Sequence, residues 1–409
     1  MKWIKNSMVI LLSIFFGTSF LATQSAFGDM SNYELDQRIK ELGKRVKKAE
    51  EKNPPLISEK WFDRVNLSGA IELDFSYISD RDTSDNTIND SSSDLDIGTA
   101  ELGLEAALHK YVTANFILKG EDLDEDNDRV FWDEASITIQ KEGFPIYFIG
   151  GKRGQPFGLF ESHLTQDPIT QDCYEIVESG ATLGYTPGVL GLDISVTAYK
   201  GEQLMTHMLE GAYNLNRNYF DLDTAVAAAW RNSGAGGMSA QYDETDGVNS
   251  YIGNITAEPT EGLLLALYFD SEPGDRNRNE TLGGSIHYEI GKFYLDWEYI
   301  GAVQREKDPA NNVERKEKAW FAGIAFQAMA PLELAARYEA FDDDIPGQQD
   351  GHLDDRFSLG LTYTLLEKND FKTNLMAEYR KSNLEIRPGN PGNVDENVSE
   401  FFTRIAIEF

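Results

Sequence analysis

Between Gly150 and Asp172 the chain gathers side chains that could bind or repel a solute: Arg153, Phe157, Glu161, His163, Asp167 and Asp172, with Glu175 just beyond. On both sides of this stretch short segments alternate apolar and polar residues; within it the alternation stops. A connection of this length inside a compact domain is functional or disordered. Phe157, Phe160, Leu164 and Ile169 are too apolar for a solvated linker. Gly154, Pro156-Phe157-Gly158 and Asp167-Pro168 supply sharp bends. The expectation is a loop folded into the lumen of a barrel, its apolar residues against the inner wall. Arg153, Glu161, His163, Asp167, Asp172 and Glu175 are then left for solute.

Other chemistry is sparse. The histidines, His109, His163, His207, His287 and His352, have no metal-ligand spacing, and no nucleophile elbow or phosphate loop occurs. His207 and His352 fall at rim positions like those used by outer-membrane barrel hydrolases, but no constellation completes them, and the expectation is that the chain is not an enzyme. Asp122, Asp124, Asp126 and Asp128 imitate a calcium loop. The sixth position is Asn127 rather than Gly and the twelfth is Asp133 rather than Glu, so the match fails. A solvated acidic loop, or one bridged to lipopolysaccharide by divalent ions, remains.

The elements that must position the loop are strands. Val65, Leu67, Gly69, Ile71, Leu73, Phe75 and Tyr77 alternate with Asn66, Ser68, Ala70, Glu72, Asp74 and Ser76. That is the length and period of a membrane-crossing strand. The signature recurs to the end of the chain, including segments near 207–215 and 219–230. Short turns alternate with long polar loops, the pattern of outer-membrane barrels. The expected fold is therefore all-β, a transmembrane antiparallel β-barrel of about 18 strands with 16 as the alternative count, occupying residues 56–409. By that count the stretch from Gly150 to Asp172 joins strands five and six, where trimeric porins fold their third external loop inward. A homotrimer follows as an expectation.

The N-terminus has the build of a signal peptide over residues 1–28: Lys2 and Lys5, an apolar run from Met8, and Ala26-Phe27-Gly28 as a cleavage site. Residues 29–55 read as a periplasmic heptad helix with a proline linker. Leu35, Ile39, Leu42, Val46 and Ala49 form the seam, and Pro54-Pro55 ends it. It would join copies, tether the barrel or lie on its rim. Loss of Lys2 and Lys5 takes the net charge from −32 to −34. That excludes nucleic acid as a partner, because phosphate backbones need basic surfaces. Cys173 is the single cysteine, so no internal disulfide forms, and a small residue in a protected place is the simplest role for it.

At the other end Phe401, Thr403, Ile405, Ile407 and Phe409 alternate with Phe402, Arg404, Ala406 and Glu408. A terminal aromatic on an alternating strand resembles the signal read by the barrel-assembly machinery. With the apolar set toward lipid, the lumen receives Glu72, Asp74, Glu101, Glu105, Glu134, Asp193, Asp223, Asp270, Asp296, Glu298, Glu333, Glu339 and Glu378. Lys119, Arg153, Arg337, Lys372, Arg380 and Arg404 stand against them. The acidic excess predicts cation preference.

Gly151-Lys152, Pro156-Phe157-Gly158 and Asp167-Pro168-Ile169-Thr170 together resemble the LbtU-type siderophore porins. So does the plan of signal peptide, short heptad helix, barrel and terminal Phe409. The resemblance implies outer-membrane passage of a ferric siderophore without a plug domain, and it carries over no siderophore-contacting residue. A general cation-preferring nutrient porin and a structural or adhesive barrel are the alternatives.

Overall fold

The chain's structure, a computed structural model, describes residues 64–81, 89–121, 123, 129–201, 203–204, 247–274, 277–305, 314, 316–342, 352–368, 370–385 and 396–409. The strands are β1 Val65–Arg81, β2 Asn89–His109, β3 Val112–Glu121, β4 Arg129–Gln140, β5 Ile146–Gly154, β6 Val177–Tyr185, β7 Asp193–Lys200 and β8 Val248–Thr260. They continue with β9 Leu263–Glu272, β10 Asn279–Ile290, β11 Phe293–Gln304, β12 Lys318–Met329, β13 Leu332–Asp342, β14 His352–Lys368, β15 Phe371–Glu385 and β16 Glu396–Glu408. Each pairs antiparallel with the next, and β16 closes on β1.

The ring therefore has sixteen strands, not eighteen. The segments near 207–215 and 219–230 lie outside the described residues, and the ring closes without them. Tyr199 of β7 pairs with Ser250 of β8, and β6 and β9 take the outer edges of those two strands. A strand joins a barrel only through its two hydrogen-bonding edges. Period-two alternation reports that a segment could be a strand; it does not report a free edge for it to join. The expected signal peptide and the heptad helix also lie outside the described residues.

Alternation decides which way each side chain points. On β1, Leu67, Ile71, Leu73, Phe75 and Tyr77 are exposed on the outer surface. Phe401 and Ile405 on β16, and Phe409 just after it, do the same. The exposed apolar belt continues through Leu295 and Trp297 on β11 and Leu359 and Leu361 on β14. In water such a continuous apolar surface would be a severe liability; around a closed barrel it is a lipid-facing surface. Connections alternate as well. Turns such as Gly291-Lys292 and Ala330-Pro331 lie at one end, and the connection 155–176 between β5 and β6 leaves from the other.

The buried apolar core is inside the barrel. Phe157, Ile169, Cys173, Tyr174 and Ile176 from the connection between β5 and β6 pack with Tyr199, Ile252, Tyr268, Ile300, Phe341 and Leu353 from the wall. Fully burying a side chain of the size of Phe or Ile is worth about 1.5–3 kcal/mol.

The seam carries one close fit. Gly69 and Phe409 exchange backbone bonds of 2.9 and 3.0 Å, and the Phe409 ring lies over Gly69 where a side chain would stand. A Cβ on residue 69 would come within 2.5 Å of Phe409 Cζ and 2.9 Å of the Glu101 carbonyl oxygen. This is an aromatic ring covering a glycine across a strand pair. Gly69→Val should displace the ring and slow closure of the seam, lowering the fraction of chain with the gel mobility of a folded barrel after refolding into detergent. Wild-type refolding yield in that variant would show that the fit is unimportant.

Candidate functional site

The connection from Gln155 to Ile176 enters the lumen through a neck built by its own backbone. Gln155 N donates to Ile176 O at 2.7 Å, and the Gln155 side chain donates to Arg153 O at 3.1 Å and Glu178 O at 2.5 Å. Gly151, at φ +133°, lies so close to β4 that a Cβ would sit 2.2 Å from the Ala135 carbonyl oxygen. Beyond the neck, Asn254 Nδ2 on β8 donates to Pro156 O at 2.9 Å, and Phe157 packs edge-on against Tyr268, ring centres 5.1 Å apart. Gly158 has φ +92°, and the Phe160 ring fills the space its Cβ would need. Pro156-Phe157-Gly158 is thus a plug-in corner for the wall.

The wall side consists of buried acids. Glu298 of β11 accepts from Leu159 N at 2.8 Å, Thr170 Oγ1 at 2.6 Å, Tyr268 Oη at 2.5 Å and Ser285 Oγ at 2.6 Å. One carboxylate therefore pins both arms of the loop. Helix α1, Ile169–Tyr174, follows Pro168, whose side chain makes no capping bond. Glu339 of β13 does that work from the wall, accepting from Ile169 N at 2.6 Å, and an anion is well placed at a helix start. Glu339 is itself held by Arg356 Nε at 2.6 Å and Arg337 Nε at 3.0 Å. Arg356 also reaches Asp172 at 3.0 Å and Asp167 O at 3.2 Å, while Arg337 reaches Ser162 Oγ at 2.7 Å and Asp167 O at 2.8 Å. Glu378 of β15 accepts from Gln166 N at 2.9 Å. Arg337, Arg356 and Glu339 are almost wholly buried. Deleting one partner of such a buried charge network typically costs about 3–5 kcal/mol.

The residues expected to face solute separate into two groups. Phe157 is fully buried and serves as an anchor. Asp172 is tied to Arg356, and His163 Nδ1 sits 2.9 Å from Glu333 Oε1. Arg153, at the end of β5, donates to Thr182 Oγ1 at 2.9 Å. Glu161 and Asp167 remain exposed and Glu175 half-buried. Asp167 is within the electrostatic reach of Arg404, and Glu175 of Lys119. Those two bases lie on the strip of wall formed by β16, β1, β2 and β3. There Arg404 forks onto Asp74 at 2.7 and 2.7 Å and reaches Glu72 at 2.9 Å. Lys119 lies 2.8 Å from Glu121 and 3.7 Å from Glu101. Asp167 and Glu175 on the loop are thus the groups within electrostatic reach of this paired strip, in which acids outnumber bases.

The lumen census therefore changes meaning. Asp296, Glu298, Glu333, Glu339 and Glu378 point inward, but they hold the loop and do not line an open channel. Asp223 lies outside the described residues. Arg356, Asn254 and Tyr268 escaped the sequence-based expectation. Arg356 precedes the outward Phe357 and Leu359, and that parity is the signal that could have found its inward direction; nothing in the sequence indicated what it would meet. Cys173 is wholly buried on α1, and burial pushes its thiol well above the ordinary range, an inert setting.

Asp167 keeps an exposed edge but sits among the packed atoms of loop and wall; that desolvation, reinforced by Asp172 and Glu175 and opposed by Arg337 and Arg404, raises its carboxyl to about 6. Below that pH Asp167 is neutral and above it anionic. Cation preference should therefore strengthen as pH rises through about 6, and Asp167→Asn should flatten that step in zero-current potentials. Glu298→Ala leaves its donors without an acceptor, at about 1–3 kcal/mol each. It should free the loop, admit larger sugars in liposome swelling and leave the barrel folded; an unchanged size cut-off would remove Glu298 from this role.

No model of a protein family matches the chain. Two UPF0422 proteins of Legionella pneumophila, lpl2888 from strain Lens and lpg2959 from strain Philadelphia 1, are each 23% identical to it over 310 residues, covering 70% of this chain and 53% of theirs. The chain spans about half the length of these curated relatives. Among solved structures, the anion-selective porin of Comamonas acidovorans superposes with a TM-score of 0.52 at 12% identity, over 84% of this chain and 99% of that one. The outer-membrane channel DcaP of Acinetobacter baumannii gives 0.54 at 12%, over 84% and 96%. OmpF of Salmonella typhi, in complex with daunomycin, gives 0.54 at 11%, over 84% and 97%. The closed antiparallel barrel of this chain has the fold of the bacterial outer-membrane porins.

Proposed function

We propose that the chain forms an aqueous, cation-preferring channel across the bacterial outer membrane, with the connection between β5 and β6 as its filter. One observation carries the reading: a polar, glycine- and proline-bent loop is held inside a closed barrel by buried wall acids and arginines. A barrel with only a structural or adhesive task has no use for charges spent on fixing a loop across its own lumen. Export by the segment 1–28, assembly through Phe409, a homotrimer and contact with lipopolysaccharide belong to the same proposal. The porin folds superposed above include one described as anion-selective. The aperture here is lined by Glu72, Asp74, Glu101, Glu121, Asp167 and Glu175, and the Coulomb field of that set favours cations.

The cargo we propose is a ferric siderophore, admitted without a plug domain. Its support is the resemblance of Gly151-Lys152, Pro156-Phe157-Gly158 and Asp167-Pro168-Ile169-Thr170 to the LbtU-type siderophore porins. An acidic aperture admits neutral or cationic ferric complexes better than anionic ones. Planar-bilayer recordings of the full chain in a salt gradient should give zero-current potentials of cation-selective sign, and neutral or cationic ferric siderophores should permeate or block. Anion selectivity would overturn the preference. Siderophores that neither pass nor block would remove the cargo and leave a general cation-preferring nutrient porin.

A further inference from the structure

His163 stands at the tip of the constriction loop in a setting that the channel reading does not use. Its Nδ1 is 2.9 Å from Glu333 Oε1 on β13, and its Nε2 is 3.4 Å from Asp296 Oδ2 on β11. Nε2 is buried and, among the described residues, makes no hydrogen bond, so Asp296 meets it as an ion-pair neighbour alone. Asp296 turns its second oxygen to His287 Nδ1 on β10, 2.6 Å away. The Tyr294 ring of β11 lies against the imidazole, centres 4.9 Å apart. Glu161, two residues earlier on the loop, adds a further negative charge, and Arg337 is occupied by Ser162 at 2.7 Å. Phe321, Gly323 and Ile324, the β12 residues bordering this corner, bring no ionisable group.

A histidine ring between two carboxylates has two very different states. The imidazolium carries an N–H on each nitrogen, one toward Glu333 and one toward Asp296. The neutral ring keeps one N–H and turns a lone pair toward a carboxylate, which repels it. We propose that His163 is a proton-operated latch: protonated, it fixes the tip of the loop to the inner wall, and deprotonated, it lets go. The inference rests on the channel reading for its consequence but not for its chemistry. The neighbouring Leu159, Gln166 and Ile169 keep their backbone bonds to Glu298, Glu378 and Glu339 in either state, so release is confined to the tip. Burial opposes the charged ring, but the bond to Glu333 and the charges of Glu333, Asp296 and Glu161 outweigh it and raise its pKa above the ordinary value. The latch is therefore closed at acid pH and opens as pH rises through that raised value.

The test is single-channel recording of the full chain in planar bilayers, with the same pH on both sides, from about pH 6 to about pH 9. Wild type should be quiet at the acid end and show a several-fold rise in brief current fluctuations at the alkaline end. His163→Gln should fluctuate at every pH and His163→Arg, permanently charged, should stay quiet. Coincident profiles for wild type and His163→Gln overturn the latch. A second measurement does not need current: in detergent micelles, the ring of His163, assigned by its absence in His163→Gln, should titrate by NMR above about 6.5 and shift downward in Glu333→Gln. A midpoint at or below the ordinary value overturns the proposal. Absence of conductance in every variant would defeat the channel reading, while the titration would still judge the latch.

Discussion

A carboxylate buried in the wall of a barrel must be satisfied by something, since an unpaired buried charge is costly. Here the third long connection satisfies several at once. Glu298, Glu339 and Glu378 accept backbone N–H groups of Leu159, Ile169 and Gln166, groups that a loop crossing a lumen would otherwise leave to water. The dependence is mutual. The acids need the loop's donors to be buried cheaply, and the loop needs the acids to hold an irregular backbone in place. Charge-assisted bonds of this kind are the stronger class, which is why so few of them can hold so long a segment.

Two arginines make the arrangement tolerable. Arg337 and Arg356 flank Glu339, and Arg356 extends the network to Asp172 on α1. The apolar residues of the loop follow from this frame. Phe157, Ile169, Tyr174 and Ile176 fill the space between the polar anchors and convert the inner surface of β8 to β14 into a packed core. The lumen is consequently asymmetric: one side is packed and fixed, and the other, from β16 to β3, keeps its own paired charges in Arg404–Asp74 and Lys119–Glu121.

That asymmetry governs what charge means in this protein. An inward-pointing acid is not automatically a solute-facing acid. Those on β11, β13 and β15 bond to the loop, and under the proposed channel reading those facing Asp167 and Glu175 would set the field. His163, on the loop's tip, meets two of the wall acids, Glu333 and Asp296.

The sequence by itself determined the barrel. Period-two alternation on strands such as Val65–Arg81 and Glu396–Glu408 is a local property, and it fixed which face meets lipid and which meets the lumen. The loss of alternation after Gly150, with bends at Pro156 and Pro168, likewise marked the stretch from Gly150 to Asp172 as a loop, although its first residues, to Gly154, complete β5. Only the tertiary structure decided the strand number, because alternation near 207–230 cannot say that β7 and β8 already occupy each other's edges. It also decided the meaning of the lumen charges. Parity placed Glu298 and Glu339 inward, and Arg356 was missed, but the partners of all three lie more than a hundred residues away along the chain: Glu298 with Leu159, Glu339 with Ile169 and Arg356 with Asp172. Pairing at that separation is set by the curvature and register of the closed ring, which no local pattern encodes.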